Sequence, residues 1–338
     1  MSHTPNPTMR AAILEKHDAP FTVVDLPRPV AGPGQVLVRI KASGVNPLDL
    51  KIRAGEAGHA RHALPAILGM DLAGVVERVG DGVDTFRPGD EVYGLTGGVG
   101  GIQGSLAELA AVDARLLAPK PANLTMREAA ALPLVFITAW EGLVDRAALR
   151  AGQTVLVQGG AGGVGHVAVQ IALALGATVF AVDGAAKAPL LRRLGAEPID
   201  RDEALESYLA RCTGGRGFDL VYDAVGGPVL DASFKAVARF GHVVSTLGWG
   251  THALAPLSFK AASYSGVFAL LPLLTGEGGA HHGEILREAS RMVEGGKIVP
   301  MVDPRRFGLD TVGEAHAALA ARTATGKIVI DIAADGRS

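Results

Sequence analysis

The residues with the most evident chemistry are Gly160-Ala161-Gly162-Gly163-Val164-Gly165. They read G-x-G-x-x-G and stand between a short apolar run, Thr154 to Val157, and a helix-forming run, His166 to Leu175. In that setting each spaced glycine has its own task. Gly160 permits the tight turn, Gly162 lets a pyrophosphate approach the backbone, and Gly165 lets helix and strand pack closely. With Gly163 and Val164, the helix start offers unpaired N–H groups and the positive end of its dipole to phosphates. The same residues also suit a tight turn with no ligand; the flanking strand and helix favour dinucleotide binding.

The next apolar run, Thr178 to Val182, ends at Asp183. A carboxylate there accepts hydrogen bonds from the adenine ribose and repels a 2′-phosphate, which favours NADH over NADPH. Two alternatives stay open. Asp183 can instead cap the following helix, and Lys187, four residues on, can pair with a 2′-phosphate or simply be solvated. Two later strand ends belong to the same argument, because open parallel sheets place ligands at the C-terminal ends of their strands. These are Asp223-Ala224-Val225-Gly226-Gly227 and Thr246-Leu247-Gly248-Trp249. Val225, Thr246 and Gly248 are therefore expected along the cofactor. Trp249 can wall an acceptor pocket or pack internally, and Arg201 can approach the adenosine end or lie on the surface.

The elements that must position these residues follow from texture. From Arg10 to about Val112, short apolar runs (Ala11 to Leu14, Val36 to Ile40, Gly74 to Val79, Glu91 to Tyr93) alternate with Gly and Pro turns, which predicts a small, mostly β domain. Thr125-Met126-Arg127-Glu128 has the form of a capping box ahead of an alanine-rich helix. Strand and helix signals then alternate, with further strands at Asp219 to Tyr222 and His242 to Thr246 and helices closed by Gly176 and Gly195. That alternation predicts an α/β, doubly wound parallel sheet. Past Leu273, helices at Glu284 to Val293 and Thr311 to Ala321 and a strand at Lys327 to Ile332 are expected to return to the first domain.

Composition narrows the function. The 338 residues carry a net charge of −2 with no basic run, so neither nucleic acid nor an anionic membrane is indicated as a partner. Cys212 is the only cysteine, which rules out an internal disulfide and any multi-cysteine zinc site. The opening residues have no apolar h-region, so a signal peptide is not expected and a cytoplasmic location is. His281-His282 is the other metal-like feature, and a solvated or capping pair is the simpler reading.

Taken together, residues spread from about Met9 to Ile332 resemble the medium-chain dehydrogenase/reductase superfamily, specifically its zinc-independent quinone oxidoreductase branch. The resemblance lies in Gly34-Gln35-Val36-Leu37-Val38, Gly44-Val45-Asn46-Pro47-Leu48-Asp49, Gly69-Met70-Asp71-Leu72-Ala73-Gly74, Gly89-Asp90-Glu91-Val92, Ala130-Ala131-Leu132-Pro133, Thr138-Ala139-Trp140 and Gly326-Lys327-Ile328-Val329. It implies a Rossmann domain, 128–272, inserted into a GroES-like β-barrel domain made of 1–127 plus 273–338. It implies that Asn46 is a catalytic residue whose amide bonds a substrate carbonyl, with Asp49 orienting the site or capping a short helix, and that Thr138 lies near the nicotinamide. Zinc-dependent relatives carry cysteine where this chain has Asn46 and histidine where it has Met70, and a carboxamide and a thioether are poor zinc ligands. Without a Lewis acid, hydride is expected to pass to an acceptor that is already electron-poor, a quinone or another activated carbonyl or alkene. Two alternatives are an enoyl thioester reductase and a nicotinamide-binding sensor without turnover. No general acid is evident; Tyr93 and Tyr264 are available but not placed. Gly94 to Gly104 is a candidate flexible loop, and Tyr264 to Leu271 a candidate edge strand for a homodimer.

Overall fold

A computed structural model of the chain describes residues 7–332. The fold separates into two compact units, Met1–Leu134 with Leu270–Ser338, and Val135–Ala269.

The first unit is built on antiparallel sheets. Thr22–Pro27, Thr8–Leu14 and Ala66–Ile67 form a three-stranded sheet. The larger sheet runs Phe307–Gly308, Val329–Asp331, Gln35–Gly44, Asp71–Val79, Glu91–Leu95, Leu117–Pro119, with Leu109–Asp113 also paired to Gln35–Gly44. Gln35–Gly44 is buried along most of its length because it pairs on one edge with Asp71–Val79 and on the other with both Leu109–Asp113 and Val329–Asp331. Only Val36 to Val38 is a continuous apolar run; beyond it Arg39 and Lys41 alternate with buried Ile40 and Ala42. The C-terminal strand adds to this N-terminal sheet through Val329 opposite Gly44 and Ile330 opposite Ser43. The helix Gly279–Glu294 packs on Leu117–Pro119, and buried Tyr93 anchors it by donating its hydroxyl to Leu286 O at 2.6 Å, with Ser290 Oγ at 3.0 Å.

The second unit is a six-stranded sheet, parallel throughout. In space its strands run Glu197–Asp200, Thr178–Asp183, Thr154–Gln158, Phe218–Asp223, Val237–Ser245, Ser263–Gly266. Numbered along the chain this is the order 3-2-1-4-5-6 of a Rossmann sheet, with its reversal between Thr154–Gln158 and Phe218–Asp223. Val155, Leu156 and Val157 are fully buried, as expected of a strand covered on both faces. The core continues through Phe180, Phe218 and Tyr208, with the Phe180 and Phe218 rings 5.3 Å apart.

Several local expectations shift. The helix after the glycine turn starts at Gly163, not His166, so the last glycine lies inside its first turn. The expected edge strand to Leu271 covers only Ser263–Gly266, and Leu271–Thr275 is a helix started by Pro272 in its first turn. The stretch Gly94 to Gly104, expected as a free loop, is tied to neighbouring backbone. Gly100 N donates to Ala60 O at 2.8 Å and Gly104 N to Ile67 O at 3.0 Å. Its glycines permit close backbone approach, since a Cβ on Gly97 or Gly104 would strike the carbonyl of Gln103 or Leu68.

Candidate functional site

In the second unit the turn after Thr154–Gln158 is held from three sides. Gly159 adopts φ +72°, and its N–H and that of Gly160 both donate to Val182 O, at 3.0 and 3.1 Å. A Cβ on Gly160 would sit 2.7 Å from Ala181 Cβ. A Cβ on Gly165 would sit 2.8 Å from Gly159 C and 2.9 Å from Gly160 Cα, so only glycine lets the helix approach the strand this closely. Gly162 differs: its missing side chain faces open space, with only Gly159 O within 4 Å, at 3.1 Å. The space that a side chain would fill lies beside the N–H groups of Gly163, Val164 and Gly165, which have no partner within the helix. Unpartnered N–H groups at a helix start are the kind of donors that can hold an anion.

Asp183 does not point outward from this turn. Its Oδ2 accepts from Ala161 N at 3.0 Å, and its Oδ1 accepts from Gly184 N at 2.8 Å and from Arg201 at 3.2 Å. The carboxylate thus braces the turn and is paired with a guanidinium that is 59% exposed. Arg201 also lies over Gly184, where a Cβ would be 2.6 Å from its Nη2. Lys187 is exposed, and Asp183 does not cap the following helix.

Across the topological reversal, the strand Phe218–Asp223 ends in a loop that meets the glycine turn: Ala224 N donates to Gln158 O at 3.3 Å, and a Cβ on Gly159 would sit 2.9 Å from Val225 Cγ2. Asp223 shapes this loop. It is wholly buried, accepts from Val225 N and Gly226 N at 3.0 Å each, and accepts from Ser245 Oγ at 2.7 Å. Thr246 N donates to Asp223 O at 3.0 Å, so the next strand end is tied to the same point. Gly248 lies against the Tyr264 hydroxyl. Half-exposed Trp249 meets Phe268 edge to face at 6.2 Å. Thr138 is buried, and its carbonyl accepts from the Tyr222 hydroxyl at 2.8 Å. The sequence marks the strand end from Asp223 to Gly227 but not the task of the Asp223 carboxylate, which depends on Ser245, a strand away.

The first unit holds a separate polar cluster. Asn46 precedes the helix Pro47–Arg53. Asp49 reaches back to accept from Asn46 N at 2.8 Å and from Gly69 N at 3.3 Å, so it caps the helix. The Asn46 side chain turns elsewhere, donating from Nδ2 to Asp71 Oδ2 at 2.8 Å and accepting at Oδ1 from Lys327 Nζ. Asp71 Oδ1 accepts from Leu134 N at 2.8 Å. Asn46, Asp49 and Asp71 are at most 1% exposed and Lys327 is 7% exposed. The amide group expected to bond a substrate carbonyl is thus engaged inside the protein. Burial pushes Asp49 up to about 7 against its two N–H donors. Burial also raises Asp71 and lowers Lys327, each drawn back by the other's charge.

The donor set does not fit zinc. Asn46 Oδ1 is occupied by an ammonium, Met70 is fully buried, and Cys212 lies on the helix Leu205–Thr213 of the other unit. Among the described residues no three His, Cys, Asp or Glu side chains are grouped to hold a metal. His281 instead contacts Glu284 at 3.1 Å, and His282 is buried on its helix. Tyr93, spent on Leu286 and Ser290, is raised beyond its ordinary range by burial and is structural.

Comparison with known proteins agrees with this architecture. Residues 32–122 match the alcohol dehydrogenase GroES-like domain, and residues 194–330 match the zinc-binding dehydrogenase model. The chain is 39% identical over 305 residues to the 2-methylene-furan-3-one reductase of Solanum lycopersicum, covering 88% of this chain and 71% of that protein. It is 36% identical over 305 residues to the chloroplastic NADPH-dependent alkenal/one oxidoreductase of Arabidopsis thaliana, covering 88% and 72%. A crystal structure of an alcohol dehydrogenase superfamily protein from Novosphingobium aromaticivorans superposes with a TM-score of 0.95 at 63% identity, covering 96% of this chain and all of that one. Solved quinone oxidoreductases share the fold as well. The chain belongs to the medium-chain dehydrogenase/reductase superfamily, in its quinone oxidoreductase-like branch. It is a nicotinamide-dependent oxidoreductase, with a GroES-like unit and a Rossmann unit.

Proposed function

We propose that this chain reduces electron-poor alkenes and carbonyls, enones and quinones among them, with NADPH and without zinc. The observation that carries the reading is the phosphate cradle at the sheet's reversal, walled by Gly160, Gly162, Gly165 and the Val225 loop. When bound there, the reduced nicotinamide supplies the hydride. The helix start at Gly163 would hold the pyrophosphate, and the loop fixed by Asp223 would line the dinucleotide at Val225, Thr246 and Gly248. Thr138 is assigned to the nicotinamide end. Asn46 and Asp49 are assigned to support of the catalytic unit rather than to direct contact, because both are sealed.

The preference for NADPH departs from the expectation drawn from Asp183 alone. A carboxylate bonded to Ala161, Gly184 and Arg201 is a weak repellent for a 2′-phosphate, and exposed Arg201 supplies a cation beside it, with exposed Lys187 four residues along the chain. The metal position is better suited to acceptors that need no Lewis acid, since delocalisation stabilises the oxyanion formed by hydride addition. The relatives named for alkenal/one and furanone reduction support this substrate class. Consumption of NADPH and NADH against quinones, enones and enoyl thioesters, with zinc measured on the same sample, tests the reading; enone or quinone turnover without stoichiometric zinc is expected, and turnover of none of the acceptors refutes it.

The edge strand Ser263–Gly266, with Phe240 and Phe259 more than four-fifths exposed, supports assignment of a homodimer paired through the second unit's sheet. Light scattering at monomer mass refutes it. A cytoplasmic location is consistent with the described residues, none of whose helices is long and apolar enough to cross a membrane.

A further inference from the structure

Lys327 lies 281 positions from Asn46 in the chain, yet its side chain ends on it. Its backbone is fixed on both sides: N donates to Met301 O at 2.7 Å, and O accepts from Asp303 N at 2.9 Å. The side chain then runs into a sealed site where three oxygens meet its Nζ. These are Val45 O at 2.9 Å, Asn46 Oδ1, and Asp71 Oδ2 at 3.9 Å. Two hydrogen-bond acceptors and a carboxylate within ion-pair distance suit an ammonium, which carries donors and no acceptor.

The Asn46 carboxamide is bridged between the two charges. Its oxygen faces Lys327 and its NH2 faces Asp71. Turning it over would set NH2 against the ammonium and carbonyl against the carboxylate, so the buried charges fix its orientation. Asn46 also opens the helix Pro47–Arg53, and its N–H is held by Asp49, which in turn holds Gly69. One ammonium therefore fixes the junction between the strand Gln35–Gly44, this helix, and the segment before the strand Asp71–Val79.

We infer that Lys327 is a positioning residue, the built-in cation of this site, which compensates Asp71 and holds the Asn46 carboxamide at the place where zinc-using members of the superfamily need a metal ligand. This deepens the zinc-free reading of the chain. The position is not merely emptied of ligands; its positive charge is supplied covalently by the last strand region of the same unit.

The test compares Lys327→Met, Asp71→Asn and the double variant with the wild-type enzyme. Each single variant leaves a buried charge or its partner uncompensated, and should melt lower by on the order of 10 °C. Each should lose roughly ten- to a hundredfold in kcat through displaced geometry, while KM for the dinucleotide stays within about twofold. The double variant, with neither charge present, should regain more than half of the lost melting temperature. In Lys327→Ala, n-propylammonium should restore part of kcat and 1-propanol should not. The inference is overturned if Lys327→Met matches wild type in kcat, if the two single losses add in the double variant, or if the alcohol rescues as well as the amine. If Lys327→Met does not fold, the double variant compared with Asp71→Asn decides the matter. Failure of the proposed function itself would appear separately, as wild-type enzyme that turns over no enone or quinone.

Discussion

Gly162 and Gly165 stand three residues apart in one motif, yet the structure gives them different work, and alanine at each position should separate the two. At Gly165 a Cβ would lie 2.8 Å from Gly159 C and 2.9 Å from Gly160 Cα, and closer still to Gly159 O. Ordinary carbon–carbon contact is about 3.5–4.0 Å, so the helix Gly163–Ala174 must retreat by roughly 1 Å from backbone that cannot yield. Overpacking of this kind costs about 1–3 kcal/mol, which should appear as a melting temperature lower by several degrees. The same retreat pulls the helix-start N–H groups away from the phosphates. Two charge-assisted hydrogen bonds lost at about 1.5–3 kcal/mol each imply at least a hundredfold weaker dinucleotide binding. Gly162→Ala meets nothing nearer than Gly159 O at 3.1 Å. It should melt like wild type, but its methyl group projects into the cradle and should still cost binding tenfold or more. Calorimetric melting together with titration of NADPH reads both effects. Gly162→Ala binding NADPH as tightly as wild type would refute the cradle, and Gly165→Ala melting unchanged would refute the packing argument.

Two further outcomes follow from the charges. Arg201→Ala removes the exposed guanidinium beside Asp183; KM for NADPH should rise roughly tenfold while KM for NADH changes little, and equal effects on both cofactors would contradict the 2′-phosphate assignment. Asp49 is raised by burial to about 7 from an unfolded value of 3.8. The native state therefore holds its proton over that interval while the unfolded chain releases it. Its contribution to stability is fully present below about pH 4 and is lost as pH rises towards 7, by up to about 4 kcal/mol. Urea midpoints between pH 4.5 and 8 should show wild type losing stability relative to Asp49→Asn as pH rises, and parallel curves would contradict the shift.

Much of the fold was legible because it is written locally. The glycine turn, the capping box at Thr125, whose hydroxyl accepts from Glu128 N, and the alternation after it depend on neighbours within a few residues. The sequence puts the helix start three residues late because glycines read as turn, whereas Gly163 and Gly165 are both helical, with Gly165 packed against Gly159. The candidate site was less legible where its partners are remote. The resemblance marks Asn46 as facing substrate, but its orientation is set by Lys327 and Asp71, neither of which any local pattern joins to it. For Asp183 the sequence offers a ribose contact or a helix cap; its bonds to Ala161 and Arg201 match neither and alter what its charge can do. The strand end at Asp223 is marked in the sequence, but the task of its carboxylate is not, because one of its partners, Ser245, lies a strand away.

The central claim is that hydride passes to an acceptor already electron-poor, with no metal to activate it. Its most direct test is a single assay on chelator-treated enzyme of measured zinc content, following NADPH oxidation with a simple enone. Sustained turnover, with zinc far below one atom per chain and no oxidation of plain alcohols by NADP⁺, is the predicted result. Stoichiometric zinc whose removal abolishes activity, or rapid alcohol oxidation, would contradict it.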